Sequence, residues 1–298
     1  MQFQKNKLKR VLGGAMVAIL TMGLLAGCGT TPEKKEAVTP TANKTVNIGY
    51  VNWAEDVAVS NLWKVLLEEK GYTVNLKSLE VAPLFVGLNK GDLDVFMDAW
   101  LPITHQSYWK KYKDKLDDYG VWYKSAAKIG LVVPSYVDVT SIEDLKANKA
   151  KFDGKIIGID PGAGIMKTTQ KADEEYGLGY EVIQSSEAAM MTALDKAYRD
   201  KKSIVVTGWS PHWMFAKYDL KYLEDSKKTY GEAEEIHTLA NKEFTKNNPD
   251  VAKMLQTFKL DDKQIGDIES LINGGLAPDA AAKKWIEDNK SIVDGWMK

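Results

Sequence analysis

Lys155-Ile156-Ile157-Gly158-Ile159-Asp160-Pro161-Gly162-Ala163-Gly164-Ile165-Met166 passes from a β-prone run, through a glycine turn, into a segment of helical spacing. The strand reading covers Lys155 to Ile159 and the helix Met166 to Tyr176. Downstream the theme repeats: Tyr180 to Gln184 as a strand, Glu187 to Tyr198 as a helix, Ser203 to Thr207 as a strongly β-prone strand. Upstream, Val46 to Tyr50 alternates apolar and polar positions, as a half-buried strand does. Val57, Leu62, Val65 and Leu66 then show helical spacing, and Gly71 stands where a C-terminal cap is expected. Thr73 to Leu79 predicts a strand, Pro83 to Asn89 a helix, and Asp94 to Asp98 a strand. Lys128 to Val133 is a further strand, ended by Pro134, and from Pro249 the pattern is helical.

Strand–helix alternation of this kind implies α/β architecture, with mostly parallel sheets flanked by helices. Its restart after Ser141 implies two lobes with a cleft between them. Lobe one is placed at 46–132, completed by 238–298, and lobe two at 133–237. The chain would cross between them near Pro134 and near Ile236.

The amino-terminal segment carries Lys5, Lys7, Lys9 and Arg10 without an acid, followed by an apolar run from Val11 to Leu25. This is the pattern of a secretory signal peptide over residues 1–27, and it is shorter than the ~20 apolar residues that span a bilayer. It ends in Leu25-Ala26-Gly27-Cys28, and Cys28 is the only cysteine. The segment resembles a bacterial lipobox, which implies lipidation at Cys28 and a protein held on the outer face of the cytoplasmic membrane. Several acyl chains anchor stably where one is marginal. Residues 28–45, with Pro32 and Pro40 and little apolar content, read as a flexible tether.

Setting aside those four of the 40 basic residues leaves 36 basic against 41 acidic, a balance of −5. No basic run is present, which argues against nucleic acid as a partner. Three scattered histidines and one cysteine give no metal-ligand spacing, and no cofactor motif stands out. The Walker ending and a full Gly-x-Gly-x-x-Gly are both missing. Ser210 and His212 lack the nucleophile-elbow context of a hydrolase.

Nine tryptophans remain to be explained. Trp53, Trp100 and Trp209 each fall just beyond a predicted strand end, where ligands bind in open parallel sheets. They could instead pack on neighbouring helices, as Trp63, Trp109, Trp122, Trp285 and Trp296 are expected to do. Indole faces attract diffuse cations such as quaternary ammonium, at about 2 kcal/mol per desolvated contact. The turn Asp160 to Ile165 leads into a helix start whose free N–H groups favour an anion. It could equally be a plain strand-to-helix connection. A cation box beside an anion nest would suit a small zwitterion.

Four stretches sharpen this reading: Gly49-Tyr50-Val51-Asn52-Trp53, Ala99-Trp100-Leu101-Pro102-Ile103-Thr104-His105, Gly158 through Met166, and Thr207-Gly208-Trp209-Ser210-Pro211-His212-Trp213-Met214-Phe215. They closely resemble the glycine betaine-binding lipoproteins of osmoprotectant ABC importers, over nearly all of residues 46–298. The resemblance implies a binding protein rather than an enzyme, with a two-lobed periplasmic-binding-protein-like (type II) fold and an ABC permease as partner. It implies that Trp53, Trp100 and Trp209 surround a trimethylammonium group. It also implies that the N–H groups of Gly164 and Ile165, with the His105 side chain, hold a carboxylate. The chain departs from the family pattern at Ala54-Glu55-Asp56, and Asp98 lies two residues before Trp100. An acid reaching the box would favour choline-like cations, so choline, carnitine and proline betaine stay open as ligands. An anchored carbohydrate-active protein is the alternative of a different class, because tryptophans also stack on sugars. It would need two carboxylates set across the substrate.

Overall fold

The computed structural model describes residues 44–298; the signal segment, Cys28 and nearly all of the tether lie outside the described residues. The first run of elements is β1 (Thr45–Tyr50), α1 (Ala54–Glu69), β2 (Thr73–Ser78), α2 (Val81–Lys90), β3 (Val95–Leu101), α3 (Gln106–Tyr112) and β4 (Leu116–Val121). A second run follows: β5 (Lys128–Pro134), α4 (Asp144–Ala147), β6 (Lys155–Ile157), α5 (Gly164–Tyr176), β7 (Glu181–Ile183), α6 (Glu187–Arg199), β8 (Val206–Ser210), α7 (Met214–Lys217) and β9 (Leu220–Tyr222). Then come β10 (Glu235–Asn241), α8 (Lys242–Asn247), α9 (Pro249–Thr257), α10 (Asp262–Asn273), α11 (Pro278–Asp288) and α12 (Lys290–Trp296). Among the described residues, no helix is long and apolar enough to cross a membrane.

The strands form two five-stranded sheets, in the orders β2-β1-β3-β10-β4 and β7-β6-β8-β5-β9. Each sheet is mostly parallel. One strand in each, β10 or β5, runs antiparallel to both neighbours. These two are also the strands by which the chain enters a sheet after crossing from the other. Because β5 pairs with β8 and β9, the chain crosses in residues 122–127, before Lys128, rather than near Pro134. Pro134 ends β5 opposite Leu220 of β9 and past Val132, the last β5 residue paired with β8, where its missing N–H costs little. The return crossing lies between β9 and β10. The two crossing segments pair with one another. Ala127 and Glu234 exchange backbone hydrogen bonds of 3.0 and 2.8 Å.

α1 packs on α10 and α11, and its Leu62, Trp63 and Leu66 are buried. Trp63 meets Phe258 edge-on at 5.4 Å, Trp122 stacks on Phe258, and Trp285 stacks on Trp296. These four indoles are core, as expected, and Trp109 is a half-buried neighbour of that core. Met190 and Met191 are likewise buried.

Candidate functional site

β1 delivers the chain through Val51 and Asn52 to Trp53, which occupies the N-cap position of α1 without a side-chain capping bond. Asp56 holds this turn. Its Oδ2 accepts the Val51 N–H at 2.7 Å and its Oδ1 the Ser60 hydroxyl at 3.0 Å. Trp100 and Trp209 do not lie beyond strand ends, as the sequence suggested, but inside the last two residues of β3 and β8. All seven residues of β3 are buried. The strand continues through Asp98, whose Oδ1 accepts the Trp100 indole N–H at 2.9 Å.

The three indoles bound one small cavity together with His105, Gly164 and Ile165; Glu55 and Thr104 also line it. The space between these walls, part of it open to solvent, is about 290 Å³. Each indole gives its N–H to a carboxyl oxygen. Trp53 donates to Asp160 Oδ2 at 3.3 Å, Trp100 to Asp98, and Trp209 to Glu55 Oε2 at 2.8 Å. With their polar edges satisfied by protein, the indoles offer the cavity π surface.

His105 sits at the N-cap of α3 and is wholly buried. Its Nδ1 accepts the backbone N–H of Trp100 at 2.9 Å. Nε2 therefore carries the proton of a neutral ring, and among the described residues it has no hydrogen-bond partner. Burial pulls the imidazole down to about 3, so it is uncharged at neutral pH. The ring lies nearly parallel to Trp53, with centroids 5.9 Å apart. The preceding turn is tied down by Glu234, whose Oε2 accepts the N–H groups of Ile103 and Thr104, both at 2.8 Å. The residue that pairs the crossing segments thus also fixes the loop that carries His105.

The glycine turn faces this loop. A Cβ on Gly164 would lie 2.3 Å from the Thr104 carbonyl oxygen, so only glycine allows the approach. Tyr108 donates its hydroxyl to the Gly162 carbonyl at 3.1 Å. Ala163 and Met166 spend their N–H groups within the turn. Those of Gly164 and Ile165, at the start of the 13-residue helix α5, meet no acceptor among the described residues. A helix N-terminus with free amides favours an anion. The cavity thus joins three neutral N–H donors to three aromatic walls.

A buried acidic layer lies around the walls, and sequence reasoning found it only in part. Burial, reinforced by Asp98, Glu187 and Glu269, pushes Glu55 well above the usual carboxylate range. Burial raises Asp98 to about 8. Asp98 and Trp100, two apart on a strand, share a face, so that pairing was available from spacing. Glu187 and Glu269 carried no local signal. Glu187 is held by His212 Nε2 at 3.1 Å and accepts the Ala54 N–H at 2.9 Å, so His212 supports the site indirectly. His237 pairs instead with Asp118 and Glu235 on the first sheet.

Comparison with known proteins agrees with this geometry. Residues 44–288 match the model of the substrate-binding domain of ABC-type glycine betaine transport systems. The chain belongs to this family. It is a family of binding proteins, not enzymes, and it sets aside the carbohydrate-active alternative. The glycine betaine/carnitine transport binding protein GbuC of Listeria monocytogenes is 45% identical over 144 residues, 47% of this chain; the chain spans about half that relative's length, 48%. Lactococcal OpuAC, solved closed with glycine betaine, is 41% identical with a TM-score of 0.80, over 85% of this chain and 99% of that one. A choline-binding protein in complex with choline is 28% identical with a TM-score of 0.80, over 87% and 93% of the two chains. The family member described here therefore has the α/β, type II binding-protein fold.

Proposed function

We propose that this protein captures glycine betaine, or a close betaine, outside the cytoplasm and delivers it to the permease of an ABC importer. The observation that carries the reading is the joining of three indole walls to the His105 Nε2–H and the free amides of Gly164 and Ile165 in one cavity. A quaternary ammonium has no N–H groups to leave unpaired, so the aromatic walls lose nothing by excluding water. Three such contacts supply about 6 kcal/mol before ordering costs. The carboxylate end takes neutral donors. The two sheets act as lobes that close on the ligand, bending at the paired crossing segments around Ala127 and Glu234. Cys28 carries the lipid that keeps the domain at the outer face of the membrane.

Choline is the second reading, favoured by the likeness to a choline-binding protein. Trp53→Ala, Trp100→Ala and Trp209→Ala each weaken betaine binding by about 1–3 kcal/mol, with Phe milder than Ala. Titration of tryptophan fluorescence with glycine betaine, proline betaine, carnitine and choline tests the proposal. Three box variants that bind as tightly as wild type would overturn it.

A further inference from the structure

The three indole-to-carboxylate hydrogen bonds are not alike. Trp100 and Asp98 lie on the same strand, so this wall is set within the first sheet. The other two bonds are exchanged between the halves. Trp53, at the start of α1, donates to Asp160, in the loop after β6 of the second sheet. Trp209, on β8 of the second sheet, donates to Glu55 in the first turn of α1. One turn of α1 thus presents an indole to the opposite half and accepts one from it.

We infer that Glu55 and Asp160 are positioning residues of the cation site, which act through the indole N–H groups they accept and make completion of the aromatic box conditional on closure. The inference rests on the betaine reading above. An indole pivots about two side-chain torsions, and a cation–π contact needs the cation over the ring face. An acceptor at the N–H removes that freedom. An acceptor on the N–H also polarises the ring toward a more negative face, as linked hydrogen bonds polarise one another. When the halves separate, Glu55 and Trp209 part, as do Asp160 and Trp53. Two walls then lose their orientation together, whereas Trp100 keeps Asp98. The ligand therefore meets one fixed wall first, and the other two lock as the cleft shuts. Such a ligand has the differential affinity for the closed form that any ligand-driven closure requires.

Double-mutant cycles on the full-length protein test this, with glycine betaine affinity measured by calorimetry. Glu55→Ala and Asp160→Ala each weaken binding about tenfold, within the range for losing one intramolecular hydrogen bond. Glu55→Gln and Asp160→Asn, which keep a carbonyl acceptor, restore most of that loss. In the Trp209→Phe background, where no N–H remains, Glu55→Ala has no further effect. Asp160→Ala likewise has none in the Trp53→Phe background. If each alanine change weakens binding by the same factor with or without its indole N–H, the residues act independently of the indoles and the inference is overturned. Equal losses for Glu55→Gln and Glu55→Ala overturn it too. A wild-type protein that binds no quaternary ammonium would instead remove the betaine reading itself, and the inference with it.

Discussion

Trp100 and His105 are joined twice: the backbone N–H of Trp100 donates to His105 Nδ1 at 2.9 Å, and the His105 N–H donates to the Trp100 carbonyl at 2.9 Å. One residue is therefore both a wall of the cation box and the group that sets the tautomer of the anion-side donor. The imidazole needs no proton to act. Burial holds its pKa near 3, so the ring stays neutral across the range in which an ordinary histidine titrates, about 6.5.

The pH dependence of a His105→Ala series follows from this. The substitution weakens glycine betaine binding by about 1.5–3 kcal/mol, the range for a hydrogen bond to a charged group. Choline, without a carboxylate, is nearly unaffected. The ratio of wild-type to variant affinity is the same at pH 5.5 and pH 7.5, as calorimetry at the two pH values measures. A ratio that shrinks several-fold toward pH 7.5 would mean that an imidazolium does the work.

Asp98 gives the opposite kind of pH effect, on stability. Its carboxyl is raised by burial to about 8 from an unfolded value of 3.8. The native state therefore keeps a proton that the unfolded chain releases, and stability declines as pH rises from about 4 through about 8. Glu55 and Asp56 act in the same direction. Asp98→Asn keeps an acceptor for the Trp100 indole but cannot ionise. Its thermal midpoint gains on wild type between pH 5 and pH 8.5, where a carboxyl of ordinary pKa would give parallel profiles.

Gly164→Ala tests the approach of the two halves. The new methyl would stand 2.3 Å from the Thr104 carbonyl oxygen, a backbone atom that cannot readily give way, and 2.5 Å from its side-chain Cγ2. Betaine affinity falls at least about tenfold, within the 1–3 kcal/mol typical of overpacking. The thermal midpoint of the ligand-free protein changes little, because opening relieves the clash. Calorimetry and thermal unfolding together separate this from a general loss of stability.

Much of the architecture was legible because strongly apolar strands such as Lys128–Pro134 advertise themselves. β4 was not, since Leu116-Asp117-Asp118-Tyr119-Gly120-Val121 is a polar edge strand with a glycine at positive φ. β10 alternates well, but its register shifts between His237 and Leu239. Six of the residues that line the cavity, Trp53, Trp100, His105, Gly164, Ile165 and Trp209, could be proposed from composition and family resemblance. Their supports could not all be: Asp160 stood in a turn read for its glycines, and Glu187 reaches Ala54 across 133 positions. Partnerships that form only when two halves meet leave no periodicity in either half.

Anchoring is tested at Cys28. Mass spectrometry of the mature amino terminus finds a lipidated cysteine in wild type, and Cys28→Ala abolishes stable membrane attachment. An unmodified Cys28 in wild type would contradict the proposal.

The central claim is that the cavity recognises both ends of a quaternary ammonium zwitterion. Calorimetric titration of the wild-type protein with glycine betaine, glycine and choline tests it most directly. Glycine keeps the carboxylate and replaces the trimethylammonium with a primary ammonium; choline keeps the trimethylammonium and lacks the carboxylate. One-site binding is expected, tightest for glycine betaine, weaker for choline and lost for glycine. Glycine binding as tightly as glycine betaine, or no binding of glycine betaine at all, would contradict it.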